Sequence, residues 1–460
     1  MFQDVNTGWS RLLSGRDGLM LGLISAGIGL HAFNQFAIVA ALPPAAVEIG
    51  GANWFSWAYT LYFLGSIAGG TGAAAVRDRF GARRSLILSA LLFSLGGLMA
   101  MAAPAFSWIV AGRLLQGVAD GLIVAICYSL IPANFPSALL PRVFAVEAIV
   151  WAAAAIAGPL AGGLLTEAFS WRAAFLAVAP FVVLLAAFTF CVEPRVTQAA
   201  PTPFSAATIG LCVAACFVLS LSSVATGGVM QAAAVAVGAL LFLPALKLDG
   251  RIGPRLFPHG AFRLGSVLGH GFWVLLLMSA SHSTGSVYLA LMIGSVFDFR
   301  PAVVGYLVVV MAITWSTVAV FVSRVTVLKN RHALMRSGAL FQFIGFAALG
   351  IALHAGSVAL LVAGQMAVGA GFGIAWAAIN QASMEAAETS ERDLASALLP
   401  TISTAGYAIG AGLAGMIATA TGLVPALESG DASPALWLYG VAAAGALITF
   451  LFGFGVRLKG

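Results

Sequence analysis

Charge is scarce in this sequence. Only 8% of its 460 residues are Asp, Glu, Lys or Arg, whereas 61% are hydrophobic. A water-soluble chain carries about 25% charged residues, and one of this length would form two or three domains. The shortage therefore excludes a soluble globular protein. The net charge of +6 is too thinly spread to make a nucleic-acid surface. Cysteine is almost as rare. Cys127, Cys191, Cys212 and Cys216 fall within or at the ends of apolar runs, where they read as small hydrophobes, so neither a disulfide framework nor a metal site is expected. Catalytic and nucleotide signatures are also missing. The chain has no G-x-x-x-x-G-K-[ST] loop to draw energy directly from ATP, no H-E-x-x-H, no G-x-S-x-G and no plausibly spaced pair of intramembrane aspartates. An enzyme is not expected, nor is a cofactor. No soluble stretch is long enough for the sensory domain of a receptor.

What is present is apolar sequence in spans. Runs between charged or Pro/Gly-rich breaks predict membrane helices at 18–43, 54–76, 84–102, 107–131, 142–165, 171–192, 205–224, 228–246, 266–296, 301–322, 333–353, 356–383, 394–420 and 433–455. Barrel strands would be shorter and would alternate, so the fold class is an all-α polytopic membrane protein. The first run is long and lacks a cleavage signal, so it reads as a span that stays. An even number of spans returns the chain to its starting side. With both termini cytoplasmic, all 22 lysines and arginines except Arg113, Arg172 and Arg300 fall in inside segments, as the positive-inside rule requires. Arg113 lies within a span, and the other two fall in outside loops.

The sequence also repeats. Shifted by 252 positions, "DRFGARRS" (78–85) falls on "NRHALMRS" (330–337), "VAGRLLQGVADG" (110–121) on "VAGQMAVGAGFG" (362–373), and "AIAGPLAGG" (155–163) on "YAIGAGLAG" (407–415), without a gap. The expected organisation is a six-helix unit over 1–195, a two-helix insertion and linker over 196–265, and a second six-helix unit over 266–460. Parallel repeats of this kind place a substrate pathway between the halves.

Charges that persist at mid-membrane depth cost roughly 2.5–3.5 kcal/mol each on insertion scales, so they are candidates for function. They are Arg113, Asp120 and Glu147. Arg113 and Asp120 are two turns apart on one helix face, so both can look into one cavity while standing too far apart for a direct ion pair. A carboxylate exposed alternately to the two sides can load and release protons. Asp120 is the first choice for that role, with Arg113 tuning it and Glu147 nearer the interface. The plainer reading makes these acids structural partners of arginines or backbone groups. In the repeat Asp120 becomes Phe372 and Arg113 becomes Gln365, so a proton path belongs in the first half. Asn34, Gln35, His282, Gln365 and Asn380 are candidates for a polar section of the cavity. His31, His270 and His282 are read first as histidines that hydrogen-bond across helices.

Three stretches resemble the major facilitator superfamily. "VRDRFGARRS" (76–85) is similar to its signature loop G-x-x-x-D-R-x-G-r-R through Asp78, Arg79, Gly81 and Arg83, with Ala74 and Ala82 departing from the pattern. "RLLQGVADG" resembles the helix-4 motif R-x-x-q-G-x-g through Arg113, Gln116, Gly117 and Gly121. "AGPLAGG" is similar to the exporter motif G-P-x-x-G-G through Gly158, Pro159, Gly162 and Gly163. Fourteen helices resemble the drug:proton antiporter branch, as does "NQFAIVAALPP" (34–44) through Ala41, Leu42 and Pro43. Asn34 stands where that branch has an acid. The resemblance implies a major facilitator fold and a secondary exporter of amphipathic or lipophilic molecules, working as a proton antiporter. A dedicated exporter of one metabolite, siderophore or lipid, with or without protons, stays open beside it. The implied partners are a small-molecule substrate, protons and lipid, in a monomer of the bacterial inner membrane.

Overall fold

The computed structural model describes residues 9–51, 54–136, 139–195, 206–225, 227–249, 251, 257–322, 328–388 and 391–454, and among these every regular element is helical. The long helices are α1 (Gly15–Glu48), α2 (Phe55–Phe80), α3 (Ala82–Met101), α4 (Phe106–Asn134), α5 (Leu140–Ala168), α6 (Ala179–Cys191), α7 (Ala206–Ser220), α8 (Gly228–Leu248), α9 (Val267–Ser286), α10 (Pro301–Val322), α11 (Leu328–Ala355), α12 (Val358–Ala386), α13 (Arg392–Thr421) and α14 (Ser433–Phe452). Short turns precede α6 (Trp171–Ala174) and follow α13 (Leu423–Glu428), and Leu289–Phe297 continues α9 after a break at Val287–Tyr288.

Thirteen of these spans are long and apolar enough to cross a bilayer, which makes this an integral membrane protein. The remaining helix, α2, is diluted by Ser56, Tyr59, Thr60, Tyr62 and a set of glycines. Those four side chains are buried, because α2 is packed between α4 on one side and α13 on the other. A span that faces protein need not be as greasy as one that faces lipid.

Several boundaries differ from the sequence reading, two of them at prolines. The Pro43–Pro44 pair does not stop α1, which runs on to Glu48. Proline fixes φ near its helical value, and the pair takes helical donors only from the Val39 and Ala40 carbonyls, a local loss within a helix of 34 residues. The span read as 171–192 is broken ahead of Pro180, so its continuous helix starts at Ala179.

The packing repeats along the chain. α2 pairs with α4, α3 with α4, α1 with α5 and α1 with α6. The helices 252 residues on pair in the same order: α10 with α12, α11 with α12, α9 with α13 and α9 with α14. Close approach of α2 and α4 depends on Gly117 and Gly121, where a Cβ would fall on the Tyr62 and Ser66 carbonyls. The same device recurs with Gly369 and Gly373 against Met311 and Trp315. Two seams join the first six helices to the last six, α5 with α10 and α2 with α13. α7 and α8 pair with each other; α7 lies on the α2–α13 seam through Trp57 and Phe217, with ring centroids 5.6 Å apart, and the turn after it through Thr419, whose hydroxyl donates to the Ser223 carbonyl at 2.6 Å.

One end of the bundle carries Arg77, Arg79, Arg83 and Arg84. At the opposite end Arg172 donates to Glu48 at 2.6 Å and to the Ala103 carbonyl at 3.3 Å, while the Trp171 indole donates to the same Glu48 at 2.7 Å. This exception to the arginine pattern is thus neutralised by a local acid. Both seams close toward this end. Ser56 of α2 lies against Gly415 of α13, with the Phe55 ring 5.0 Å from Tyr288 at the break after α9, and Glu167 of α5 accepts from the Ala302 amide of α10 at 2.9 Å.

Candidate functional site

The buried polar centre of the first six helices is built by α1, α2 and α4. Arg113, 1% exposed, is held from three directions: it donates to the Gln116 side-chain oxygen at 3.0 Å, to Asn34 Oδ1 at 3.4 Å and to the Ala58 carbonyl at 3.3 Å. Its guanidinium sits 4.0 Å from the centre of the Tyr62 ring, a geometry in which the ring face attracts the cation. A buried guanidinium needs such a cage, since its donors have no water to meet. Asp120 has a different partner. Its Oδ2 lies 2.7 Å from His31 Nδ1, across the α1–α4 contact. His31 is half-buried and meets the Trp151 ring edge-on at 5.4 Å, while Asp120 is 1% exposed. The buried Tyr62 hydroxyl lies between Asp120 and Asn34, close enough to interact with both side chains, and within electrostatic reach of Arg113. Two turns of α4 thus separate a caged cation from an acid paired with a histidine that is only partly covered.

The equivalent region of the last six helices is aromatic. Phe372, in Asp120's place, stacks on Trp315 at 4.9 Å and contacts Trp376 and His282 at 5.7 and 5.1 Å. Tyr407 extends the cluster to Phe63 of α2, 5.6 Å away, so it crosses a seam. Gln365, in Arg113's place, keeps only the link to the neighbouring helix, donating to the Leu307 and Val308 carbonyls at 3.4 Å. Of the proposed cavity residues, Gln35, His282 and Asn380 are half-buried, whereas Asn34 and Gln365 are buried within helix contacts. Asn380 donates to the Trp376 carbonyl of its own helix at 2.8 Å. Most of the polar run 279–286 bonds backbone: Ser283 donates to the Tyr407 carbonyl and Thr284 to those of Ala280 and Gly410.

Glu147 stands apart from Asp120 and Arg113. It is 3% exposed, and its Oε1 accepts from the Ser25 hydroxyl at 2.7 Å.

At the arginine-rich end, the loop between α2 and α3 turns at Gly81, whose φ of 80° and ψ of 154° form a region almost reserved for glycine. Arg83 reaches the end of α6, donating to the Thr189 and Phe190 carbonyls at 2.9 and 2.6 Å and to Glu193 at 3.0 Å. A cation there satisfies carbonyls that the helix leaves free. Asp78 accepts from Arg77 at 3.1 Å, and Arg77 also donates to Ser129 of α4 at 3.2 Å. Arg79 lies 5.7 Å from the Phe80 ring. These contacts tie α2 to α4 and α3 to α6 at one end. The acidic stretch 385–393 engages other groups: Glu391 accepts from the His259 backbone amide at 2.7 Å, and Glu385 accepts from Gln381 at 2.5 Å.

The glycines of α5 serve two neighbours. Cβ atoms on Gly158 and Gly162 would strike Phe36 and Ala37 of α1, whereas one on Gly163 would come within 2.7 Å of Ala302 on α10. Gly305 of α10 in turn abuts the Pro159 carbonyl. Gly415 of α13, the repeat partner of Gly163, abuts Ser56 of α2. Both seams therefore use the same small-residue position.

The sequence model of the Major Facilitator Superfamily matches residues 24–388. The chain belongs to that superfamily. It is 28% identical over 449 residues to the probable multidrug-efflux transporter Rv1634 of Mycobacterium tuberculosis, covering 94% of this chain and 92% of that one. It is 25% identical over 415 residues to the multidrug efflux pump LfrA of Mycolicibacterium smegmatis, covering 88% and 81%. Among solved structures, a peptide transporter of the POT family superposes with a TM-score of 0.69 at 14% identity over 96% of this chain and 97% of that one. A bacterial homologue of the lysosomal transporter Spinster, inward-facing and occupied, superposes with a TM-score of 0.67 at 14% identity over 97% and 98%.

Within this facilitator fold, His31 makes the cross-helix bond read for it from sequence, but its pairing with Asp120 and the placing of Tyr62 escape the sequence signals. His31 precedes Asp120 by 89 positions, and nothing in the α1 pattern distinguishes it from other intramembrane histidines. Tyr62 lies in a run of aromatics, and its place over Arg113 follows from the glycine contacts that draw α2 onto α4.

Proposed function

We propose that this facilitator is a secondary exporter of amphipathic or lipophilic small molecules, driven by proton antiport, with Asp120 carrying the proton in partnership with His31. One observation carries the proton reading: a fully buried carboxylate 2.7 Å from a histidine that is itself only partly covered. Such a pair can receive a proton at the histidine and hold it at the acid, out of contact with bulk water. Arg113, caged by Asn34, Gln116 and Tyr62, sets the local field without competing for Asp120. The export reading is supported by relatives named as multidrug-efflux proteins along nearly their whole length.

In this reading residues 1–195 and 266–460 are the two bundles that rock about the seams, and 196–265 forms an inserted pair and linker. The arginine-rich end is cytoplasmic, both termini lie there, and a monomer in the bacterial plasma membrane is the working unit. The test is proton movement in proteoliposomes during exposure to a panel of lipophilic compounds. Compound-dependent proton release that Asp120→Asn abolishes supports antiport. Transport that continues without proton flux sinks it and leaves a dedicated, otherwise-coupled exporter.

A further inference from the structure

The inserted pair, α7 and α8, is fastened at both of its ends to the last six helices. At the arginine-rich end the Phe262 ring joins them: it meets Phe242 of α8 edge-on at 5.4 Å, and Phe272 and Trp273 of α9 at 5.7 and 5.4 Å, while the Trp273 indole donates to the Phe262 carbonyl at 2.9 Å. At the opposite end the Thr419 hydroxyl of α13 donates to the Ser223 carbonyl at 2.6 Å. A Cβ on Gly412 of α13 would come within 2.7 Å of the Ser220 hydroxyl oxygen, so the two backbones are close there.

The tip of the pair is buried. Ser220, Ser222 and Ser223 are each 1% exposed or less, although a connection between two helices ordinarily faces outward. Their hydroxyls close on carbonyls of the same turn, Ser220 on Cys216, Ser222 on Leu219 and Ser223 on Ser220. The cover comes from α13 and from α2. At Gly415 of α13 a side chain has no room, because Ser56 of α2 and Ser223 of the tip both stand where its Cβ would go. One residue along α2, the buried Trp57 ring meets the exposed Phe217 of α7 edge-on at 5.6 Å. The first six helices are therefore gripped through α2 at the end opposite the arginines, whereas the last six are held at both ends.

We infer that α7 and α8 move as part of the C-terminal bundle, and that the Trp57–Phe217 contact is a latch by which they hold α2 and keep the end opposite the arginines closed. Two attachments separated by the length of α8, roughly 30 Å, fix the pair to one bundle. A single aromatic contact at one end can part without disturbing either helix. Opening at that end requires α2 and α13 to separate there, and α7, held to α13 by Thr419 and Gly412, leaves α2 when α13 does. The latch is thus made only in the closed arrangement, and its removal favours the open one. The inference rests on the reading that the two six-helix bundles rock about their seams.

The test is electron–electron distance measurement on the full-length, cysteine-free protein in lipid nanodiscs, with pairs of spin labels on the exposed Val47 at the end of α1, Ser429 beyond α13 and Val229 at the start of α8. The expected result is a shorter and a longer Val47–Ser429 distance, a Val47–Val229 distance that changes with it, and a single Val229–Ser429 distance. Phe217→Ala, at an exposed position on which the fold does not depend, should raise the ratio of the longer to the shorter Val47–Ser429 population roughly threefold or more. Trp57→Ala should act in the same direction, and the double variant should not exceed it, because both substitutions remove one contact. The proposal is overturned, with rocking left standing, if Phe217→Ala does not change that ratio, if the two substitutions add, or if the Val229 label follows Val47 instead of Ser429. A single Val47–Ser429 distance at every pH and with every lipophilic compound tried would remove the rocking reading and the latch with it.

Discussion

His31 Nδ1 and Asp120 Oδ2 stand 2.7 Å apart across α1 and α4, while Arg113, two turns from Asp120 on its own helix, bonds to Asn34 and Gln116 instead. The acid and the cation of α4 are thus assigned to separate partners. If proton transfer passes through the pair, the two residues act as a unit and their substitutions cannot add. Asp120→Asn should abolish compound-driven proton movement in proteoliposomes, and His31→Gln should reduce it at least tenfold. The double variant should be no worse than Asp120→Asn. Additive losses, read from an internal pH dye, would show that the histidine acts elsewhere.

Arg113 should respond differently, because its cage is structural as well as electrostatic. Arg113→Ala leaves the Asn34 and Gln116 side-chain oxygens without this donor, loses the link to the Ala58 carbonyl and removes the cation over Tyr62. Leaving a buried acceptor unsatisfied costs about 1–3 kcal/mol. Arg113→Lys should recover little, since an ammonium cannot span three acceptors while stacking on a ring. Thermal unfolding in detergent should show both variants well below the native protein, with Arg113→Lys closer to Arg113→Ala than to native. A lysine variant as stable as native would mean that charge alone matters there.

Much of this was legible in sequence because membrane physics restricts the options. Apolar runs and loop arginines marked the spans, and α2 was found by its breaks although its own composition is too polar to announce a span. The 252-residue repeat carried over to packing, down to the glycines at 117, 121, 369 and 373. Arg113 and Asp120 stood out because charge is expensive at that depth. Their partners did not, since a contact such as that between His31 and Asp120 depends on how α1 crosses α4, which no local pattern encodes. Glu147 was visible as an acid, but its bond to Ser25 is a property of two helices together.

The turn at the arginine-rich end gives a test of backbone strain. Gly81 holds φ 80° and ψ 154°, which an L-residue adopts at a cost of about 1–3 kcal/mol, while nothing stands within 4 Å of where a Cβ would go. Gly72, inside α2, also has open space but ordinary helical geometry. Gly81→Ala should therefore lower the unfolding temperature, and Gly72→Ala should leave it unchanged or raise it slightly. Equal effects would mean that the loop relaxes freely, and Arg83's contacts with α6 would then be unable to fix its shape.

The α5 glycines separate stability from conformational balance. Gly162 faces Ala37 within one six-helix unit, so Gly162→Ala pushes α1 and α5 apart and should cost about 1–3 kcal/mol without favouring either arrangement of the seams. Gly163 faces Ala302 across the α5–α10 seam, four residues from Glu167, which accepts the Ala302 amide. A methyl group there opposes only the arrangement in which this seam is closed, so Gly163→Ala should move the equilibrium toward the form open at the end opposite the arginines. Spin labels on Phe169 and Val303, both exposed near that end, would report the change in a cysteine-free background. The longer-distance population should grow in Gly163→Ala and stay at the native level in Gly162→Ala. Identical distance distributions in the two variants would show that the α5–α10 contact yields as one body with α1, and the motif would then be a packing device with no part in the switch.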